Sequence, residues 1–212
     1  MSRTRIKICG VTRIEDALCA ADAGADAIGL VFYAASPRAV TVGEALAISN
    51  ALPPFVSTVA LFVNAPAQEV RDVIVGLGPS MLQFHGDEDA GYCAQFGIPF
   101  LKAIRVGSGM TAVDLLEYAE KFQAARTLLL DTLSANVYGG SGESFNWNII
   151  PDEMRRRIVL SGGLRPDNVA AAIRLIRPMA VDVSSGVEAQ KGVKSHAKIS
   201  KFIEEVRNAD AG

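Results

Sequence analysis

Eight apolar stretches of strand length alternate with segments of helical periodicity along the whole chain, and this alternation limits the fold more than any other feature. Short continuous runs of Val, Ile and Leu are typical of strands buried on both faces. Strands that alternate with helices are joined by right-handed crossovers and therefore lie parallel. Eight such units in 212 residues predict a (β/α)8 barrel that occupies residues 1–212 as a single domain.

The predicted strands and helices follow one another without a linker. The strands cover residues 6–9, 27–32, 57–63, 81–85, 100–106, 127–132, 158–163 and 180–186. The helices cover residues 13–23, 41–52, 66–77, 87–96, 111–125, 148–156, 166–177 and 195–207. Asn64 and Pro66 can start a helix, and Gly78 and Pro79 can end one. An open, doubly wound sheet is the alternative, because periodicity does not show whether a sheet closes.

The composition excludes several classes of protein. Half of the residues are hydrophobic and 21% are charged, which excludes intrinsic disorder. The formal net charge is −2 and the most basic run is the short RRR at 155–157, so we expect no nucleic-acid partner. No apolar run reaches the roughly 20 residues that a membrane-spanning helix needs, so we expect no membrane partner. The start of the chain lacks the apolar stretch of a signal peptide, which predicts a cytoplasmic protein.

The three cysteines, Cys9, Cys19 and Cys93, show no C-x-x-C spacing. An odd set of this kind predicts neither a disulfide framework nor a zinc site. Cys19 and Cys93 lie in helical segments, where a cysteine usually packs as a small hydrophobic residue. Cys9 differs because it ends the first predicted strand and is followed at once by Gly10. Its thiol is therefore either a packing group or a reactive group at the strand end.

Polar residues recur at the ends of the predicted strands. In a (β/α)8 barrel the active site lies at the carboxyl ends of the strands and in the loops that follow them. The residues at these positions are Cys9, Arg38, Asn64, His85, Arg105, Asp131, 161–163 and 184–186. Each one alone has an ordinary structural explanation, such as a turn cap or a surface ion pair. Their coincidence at one end of the barrel predicts a site.

The carboxyl ends of the last two predicted strands, where loops begin, indicate what this site binds. They read SGG and SSG, and glycine lets backbone N–H groups approach an anion closely. The same two loops commonly hold phosphate in this fold. The candidate phosphate-binding residues are Gly162, Gly163, Ser185 and Gly186. Arg38 follows the second strand, and its guanidinium suits a carboxylate, so the sequence predicts a small ligand that carries both groups.

Cys9 and Asp131 end the first and sixth strands and can face each other across the barrel mouth. A thiolate and a carboxylic acid can act as base and acid if their surroundings tune both pKa values toward the working pH. We expect no metal, because His85 and His196 are far apart and lack ligand spacing. We expect no cofactor, because no G-x-G-x-x-G segment opens a βαβ unit. The sequence therefore predicts acid–base catalysis by side chains.

Seven segments follow one another along the chain in this order: KICGVTRIEDA, GLVFYAASPRAV, LQFHGDE, LLLDT, YGGSGESFNW, LSGGLRPDNVAAAI and VDVSSGVEAQKGVKSHAKI. As a set they resemble the phosphoribosylanthranilate isomerase family of tryptophan biosynthesis, from the first strand to the last helix. The resemblance implies an Amadori rearrangement. In that reaction N-(5-phosphoribosyl)anthranilate opens to a Schiff base and becomes 1-(2-carboxyphenylamino)-1-deoxyribulose 5-phosphate.

The resemblance also implies roles for individual residues. Asp131 in LLLDT would be the general acid that protonates the furanose ring oxygen, and Cys9 in KICG would be the base that removes the proton from C2 of the ribose. Arg38 in SPR would hold the anthranilate carboxylate, and His85 in FHG would lie near the substrate. The residues that would bind the phosphate are Gly162, Gly163, Ser185 and Gly186.

One loop departs from the family pattern. GGSGESFNW has Glu143 where the family usually has a lysine, and Asn146 where it usually has an aspartate. A charge reversal in a loop over the substrate can alter affinity or closure. The predicted acid and base are not affected.

Other functions stay open at this point. A phosphosugar-binding barrel without catalysis would need neither Cys9 nor Asp131, and a structural subunit would keep Cys9 as an unreactive packing residue. Two other phosphosugar barrels do not fit: indole-glycerol-phosphate synthase would need a lysine at the strand ends, ribulose-phosphate epimerase would need metal-binding histidines and aspartates, and the predicted rim offers neither set. We expect a small phosphosugar as the partner, and a monomer or a homodimer as the assembly.

Overall fold

The eight predicted strands form one closed parallel barrel. The structure is a computed structural model that describes residues 3–133 and 145–212. The barrel strands are β1 (Arg5–Cys9), β2 (Ala27–Phe32), β3 (Ser57–Phe62), β4 (Met81–Phe84), β5 (Phe100–Val106), β6 (Thr127–Thr132), β7 (Val159–Leu160) and β8 (Ala180–Val183). Each strand pairs with the next, and β1 also pairs with β8, so that Lys7 lies opposite both Ala27 and Asp182. The predicted (β/α)8 barrel is confirmed, and the open sheet is excluded.

Helices connect the strands and cover the outside of the barrel. They are α1 (Ile14–Ala23), α2 (Val42–Ala51), α3 (Ala67–Leu77), α4 (Ala90–Ala94), α5 (Ala112–Lys121), α6 (Asp152–Arg155), α7 (Val169–Ile176) and α8 (His196–Ala211). Among the described residues, no helix has the length and apolar character required to cross a membrane.

The last two strands are shorter than the sequence pattern predicts. In place of a strand over 158–163, β7 has two residues, because the chain turns at Gly162 and Gly163 with φ angles of +81° and +64°. The predicted strand 180–186 ends at Val183, and a 3-10 turn at Ser185–Val187 follows it. The two glycine-containing segments are therefore loops at the carboxyl ends of strands, where a ligand can reach their backbone.

Several helices are also shorter than the sequence pattern predicts. The predicted helix 148–156 is a 3-10 turn at Trp147–Ile149 followed by the short α6. The predicted helices 87–96, 111–125 and 166–177 are each shortened, to α4, α5 and α7. A hairpin of β9 (Glu188–Gln190) and β10 (Val193–Lys194) lies between β8 and α8, and the sequence analysis missed it. Strands this short carry too little periodicity to be recognised from sequence.

Local signals set several helix ends. Thr41 and Thr111 start α2 and α5 with capping boxes: each hydroxyl accepts an N–H from the third helical residue, whose carboxylate accepts the threonine N–H in return. Pro66 directly precedes α3. Gly78 ends α3 with φ +61°, as predicted from the sequence.

Apolar side chains occupy both faces of the barrel wall, which explains the continuous Val, Ile and Leu runs. The larger core lies between strands and helices, and its fully buried members include Phe62, Phe84 and Phe202. A smaller cluster fills the barrel interior with Ala103, Leu129, Val159 and Ala180. Successive strand residues alternate between these two cores.

Two valines on α3 give a direct test of this packing. Val73 is 2% exposed and Val75 is 87% exposed. We expect Val73→Ala to lower the free energy of unfolding by about 1.5–2.5 kcal/mol more than Val75→Ala, because two buried carbon groups are lost and a cavity is left. Urea unfolding measures the difference, and the helix propensity change is shared by both variants. Equal stabilities would contradict the described face of α3.

Candidate active site

A cleft opens at the carboxyl ends of the strands and brings together most of the residues expected at the rim. Those that line it are Cys9, Arg38, His85, Asp131, Gly162, Gly163, Ser185 and Gly186. The other two predicted rim residues, Asn64 and Arg105, are instead engaged with Asp87. The Asp87 N–H donates to Asn64 Oδ1 at 2.7 Å, and Arg105 pairs with the Asp87 carboxylate at 2.5 Å.

Cys9 is a buried residue at the end of β1, with 5% of its surface exposed. Its side chain shares the inner face of the barrel with Lys7, and the Cys9 sulfur and the Lys7 ammonium both border the bare backbone of Gly29. Burial raises the pKa of the Cys9 thiol, and the Lys7 ammonium only partly offsets this rise. The thiol of the free protein is therefore less acidic than an exposed cysteine.

Gly10 lets the chain turn away directly after this thiol. Its φ angle is +68°, a left-handed conformation that favours glycine. A Cβ atom here would collide with Arg38 Cδ and would lie 3.1 Å from Ser184 Oγ. The Cys9–Gly10 pair thus allows the thiol, the Arg38 side chain and the loop after β8 to form one wall of the cleft.

Arg38 enters the cleft as half of a bidentate ion pair. Its Nε and Nη2 donate to the two carboxylate oxygens of Glu188 at 2.7 and 2.9 Å. Lys194 Nζ lies 3.2 Å from Glu188 Oε1 and is fully buried. Burial by itself raises the pKa of Glu188. The two cations lower this pKa by more than burial raises it, so the pKa of Glu188 lies below its usual value. The guanidinium has five N–H donors, so this pairing leaves its Nη1 edge for a ligand.

Asp131 is held by hydrogen bonds to both carboxylate oxygens. Oδ1 accepts the Thr132 N–H at 2.9 Å, and Oδ2 lies 3.0 Å from His85 Nε2. Gln83 Nε2 lies 3.1 Å from His85 Nδ1. With the Gln83 amide nitrogen facing the ring as donor, Nδ1 accepts and the imidazole hydrogen is assigned to Nε2, directed at Asp131. The sequence predicts His85 near the ligand but does not indicate its contact with Asp131.

The loops after β7 and β8 form a continuous backbone surface. A Cβ at Gly162 would collide with Thr132 and lie 3.1 Å from Asp131 Oδ1, and a Cβ at Gly186 would collide with the Leu164 carbonyl oxygen. Glycine at both positions lets the two loops approach the end of β6 and each other. Within the described residues, the N–H groups of Gly162 and Gly163 donate to no protein acceptor. Such N–H groups suit an anion.

Lys7, Asp182, Glu188 and Lys194 are buried charged residues that the sequence analysis missed. Their partners are distant in sequence: Lys7 Nζ lies 2.8 Å from Asp182 Oδ1, and Arg38 reaches Glu188 across 150 positions. A pair of opposite charges that far apart leaves no local pattern. The one available signal was the two-residue alternation of side chains along a strand, which places Lys7 and Cys9 on the same face of β1.

The remaining candidate groups lie elsewhere. Cys93 is fully buried on α4, and burial raises the pKa of its thiol to about 12. His196 pairs with Asp16 at 3.0 Å. Over residues 3–133 and 145–212, no three His, Cys, Asp or Glu side chains are grouped to hold a metal ion. Glu143 falls outside the described residues, whereas Asn146 Oδ1 accepts the Asn148 N–H at 3.1 Å and starts a 3-10 turn.

Curated proteins with similar sequences share one description. The chain is 53% identical over 209 residues to N-(5'-phosphoribosyl)anthranilate isomerase of Pseudomonas fluorescens strain SBW25, covering 99% of this chain and 98% of the relative. It is also 53% identical over 208 residues to the protein of that name from Dechloromonas aromatica strain RCB, covering 98% of each.

Solved structures agree with these relatives. The phosphoribosyl anthranilate isomerase of Thermotoga maritima superposes with a TM-score of 0.86 at 40% identity, covering 97% of this chain and 99% of that one. A structure in complex with reduced 1-(o-carboxyphenylamino)-1-deoxyribulose 5-phosphate has a TM-score of 0.84, 40% identity and the same coverage. Monomers generated from the dimeric T. maritima enzyme have a TM-score of 0.84 at 38% identity, again covering 97% and 99%.

The chain also matches a family model. The model described as N-(5'phosphoribosyl)anthranilate (PRA) isomerase matches residues 6–205, a span that holds all of the candidate site residues. Together with relatives of 53% identity over nearly the full chain, this match shows that the chain belongs to the N-(5'-phosphoribosyl)anthranilate isomerase family.

Proposed function

We propose that this cleft carries out the reaction of its family, the Amadori rearrangement of N-(5-phosphoribosyl)anthranilate in tryptophan biosynthesis. The observation that carries the proposal is the convergence of Cys9, Asp131, Arg38 and two glycine loops on one cleft. A binding protein would need the arginine and the loops only. The relative that binds a reduced product supports a phosphosugar that also carries a carboxylate.

The substrate is held at its two charged ends. The phosphate lies against the loops after β7 and β8, where the N–H groups of Gly162 and Gly163 have no protein acceptor among the described residues. The anthranilate carboxylate binds the edge of Arg38 that Glu188 does not use. The ribose then lies between these two sites, above Cys9 and Asp131.

Asp131 serves as the general acid. It protonates the furanose ring oxygen, the bond from that oxygen to C1 breaks, and a protonated Schiff base forms. The Thr132 N–H and the His85 N–H both donate to the carboxylate, so they stabilise the charge that Asp131 acquires in this step. His85 is therefore proposed to act through Asp131 as well as to lie near the substrate.

Cys9 serves as the base in the second step. As a thiolate it removes the proton from C2, which gives an enol amine that rearranges to the amino ketone. Charge is conserved, because the positive Schiff base is neutralised when the sulfur takes the proton. Side chains can remove a proton from a carbon beside a carbon–nitrogen double bond. General acid–base catalysis typically raises the rate by about 10²–10⁴-fold per group.

Two further expectations stay predictions. The dimeric T. maritima relative favours a homodimer over a monomer for this chain, and light scattering at the enzyme concentration used in assays decides between them.

A cytoplasmic location, expected from the sequence, is testable by fractionating the source cells.

Substitution of the acid and the base tests the proposed roles. We expect Cys9→Ala and Asp131→Asn each to reduce turnover by about 10²–10⁴-fold, because each removes one proton-transfer group. Loss of the fluorescence of freshly generated phosphoribosylanthranilate measures the rate. Cys19→Ala, which removes a partly exposed thiol on α1, is the matched control and should keep full activity. Near-normal turnover in either site variant would remove that residue from the mechanism.

Arg38→Ala tests the carboxylate contact. Charged hydrogen bonds are worth about 1.5–3 kcal/mol, so we expect affinity for the reduced product analogue to fall by about 10–100-fold. Calorimetry should be repeated with an analogue in which phenyl replaces the 2-carboxyphenyl group. That ligand should bind the wild type and the variant alike. An equal loss for both ligands would mean that Arg38 shapes the wall instead of binding the carboxylate.

A further inference from the structure

A buried ion pair lies inside the barrel below Cys9, and the proposed reaction does not use it. Lys7 Nζ lies 2.8 Å from Asp182 Oδ1, and the two side chains are 6% and 5% exposed. Replacement of a buried ion pair by apolar residues often leaves stability unchanged or increases it. The interior of this barrel also contains an apolar layer of Ala103, Leu129, Val159 and Ala180. Stability alone therefore gives little reason for a charged pair here.

The position of the ammonium relative to the thiol gives a better reason. Lys7 and Cys9 are two residues apart on β1, so both side chains face the interior. A Cβ at Gly29 on β2 would lie 2.7 Å from Cys9 Sγ and 3.0 Å from Lys7 Nζ. Sulfur and ammonium thus lie against the same bare backbone position, and the positive charge of Lys7 acts on the sulfur. A side chain at Gly29 would separate them.

Asp182 fixes the lysine at this place. It lies opposite Lys7 in the β1–β8 pairing, and its second oxygen lies 3.3 Å from Ser161 Oγ. Burial lowers the pKa of Lys7, but Asp182 and Cys9 raise it more, so the net pKa exceeds its usual value. This raised pKa favours the ammonium form of Lys7 beside the thiol.

We propose that Lys7 is a positioning residue that stabilises the thiolate of Cys9, and that Asp182 holds its ammonium under the sulfur. This inference rests on the proposed role of Cys9 as the base. It explains why the sulfur at the strand end lies beside a cation instead of against apolar side chains only. The C2 proton then goes to a sulfur whose negative charge has been balanced from below.

Four charged groups influence Cys9. Through its charge, Lys7 acts on the thiol from β1, Asp182 from β8, Lys194 from β10 and Arg38 from the loop after β2. Lys194 and Arg38 are both paired with Glu188, whereas the Lys7 ammonium and the Cys9 sulfur share one face of β1 beside Gly29. Among these charges Lys7 lowers the pKa of Cys9 most, and Asp182 raises it. Loss of the lysine charge should therefore raise the pKa of the thiol, and loss of the aspartate charge should lower it.

Thiol titration in two variants tests the proposal. Lys7→Met removes the ammonium and keeps an unbranched chain, and Asp182→Asn removes the negative charge but keeps an oxygen for Lys7. Iodoacetamide labelling of the Cys9 peptide is followed by mass spectrometry from neutral to alkaline pH, and the profile of kcat/KM against pH is measured in parallel. Cys19 is the internal control, because its titration should be the same in every variant.

Lys102→Met is the matched control for the loss of a buried lysine. Lys102 Nζ lies 2.9 Å from Glu88, with side chains 4% and 3% exposed, and this pair lies outside the residues that line the cleft. Like Lys7→Met, the control leaves a buried carboxylate without its cation. A general effect of an unpaired buried charge would appear in both variants, whereas an effect on the Cys9 thiolate should appear only in Lys7→Met.

We expect Lys7→Met to move the Cys9 midpoint and the rising limb of kcat/KM to higher pH by about one unit or more. At neutral pH its kcat/KM should fall about tenfold for each unit, and alkaline buffer should restore most of the loss. Asp182→Asn should move the Cys9 midpoint to lower pH. A purely structural pair would give both variants the same kind of defect, so the opposite signs are specific to the proposal.

An unchanged Cys9 midpoint in folded Lys7→Met, or shifts of the same sign in both variants, would overturn the proposal. If Lys7→Met fails to fold, Asp182→Asn decides alone: a midpoint that rises or stays in place counts against it. A failure of the proposed role of Cys9 as the base would give a different result. If Cys9→Ala keeps normal turnover, Cys9 is not the base, yet the labelling experiment still measures the coupling of Lys7 to the thiol.

Discussion

The pairing of β1 with β8 is the interaction on which the rest of this structure depends. It closes the barrel and brings the first strand beside the last, although Lys7 and Asp182 are separated by 175 positions in sequence. The thiol of Cys9 and the loop after β8 meet only because of this closure. An open sheet with the same strands would place β1 and β8 apart and would divide the cleft.

The cations in and around the cleft are paired with carboxylates before any ligand binds. Asp182 pairs with Lys7, and Glu188 pairs with Arg38 and Lys194. Desolvated charges without partners cost several kcal/mol each, so the fold can keep cations near the reacting groups only by adding carboxylates behind them. These carboxylates also orient the cations. The result is a wall that can bind an anionic substrate without rearranging its own charges.

The strand alternation and the helix caps are local, and they were predictable for that reason. The closed barrel, the strand-end position of Cys9 and the helix end at Gly78 agree with the sequence analysis. The short β7 and the hairpin of β9 and β10 were missed, because they contain too few residues for periodicity to show. The turn at Gly162 and Gly163 also ends a strand that apolar character alone would have extended.

The sequence by itself determined which residues lie at the rim, because strand ends follow from local patterns and the fold class assigns one end of the barrel to the site. It therefore identified Cys9 and Asp131 without any coordinates. Only the tertiary structure decided their partners: Lys7 beside the Cys9 sulfur, and His85 on Asp131. Such partners depend on barrel closure, on strand register and on which bare positions, such as Gly29, let two side chains approach. These are distances between remote segments, and no local pattern encodes them.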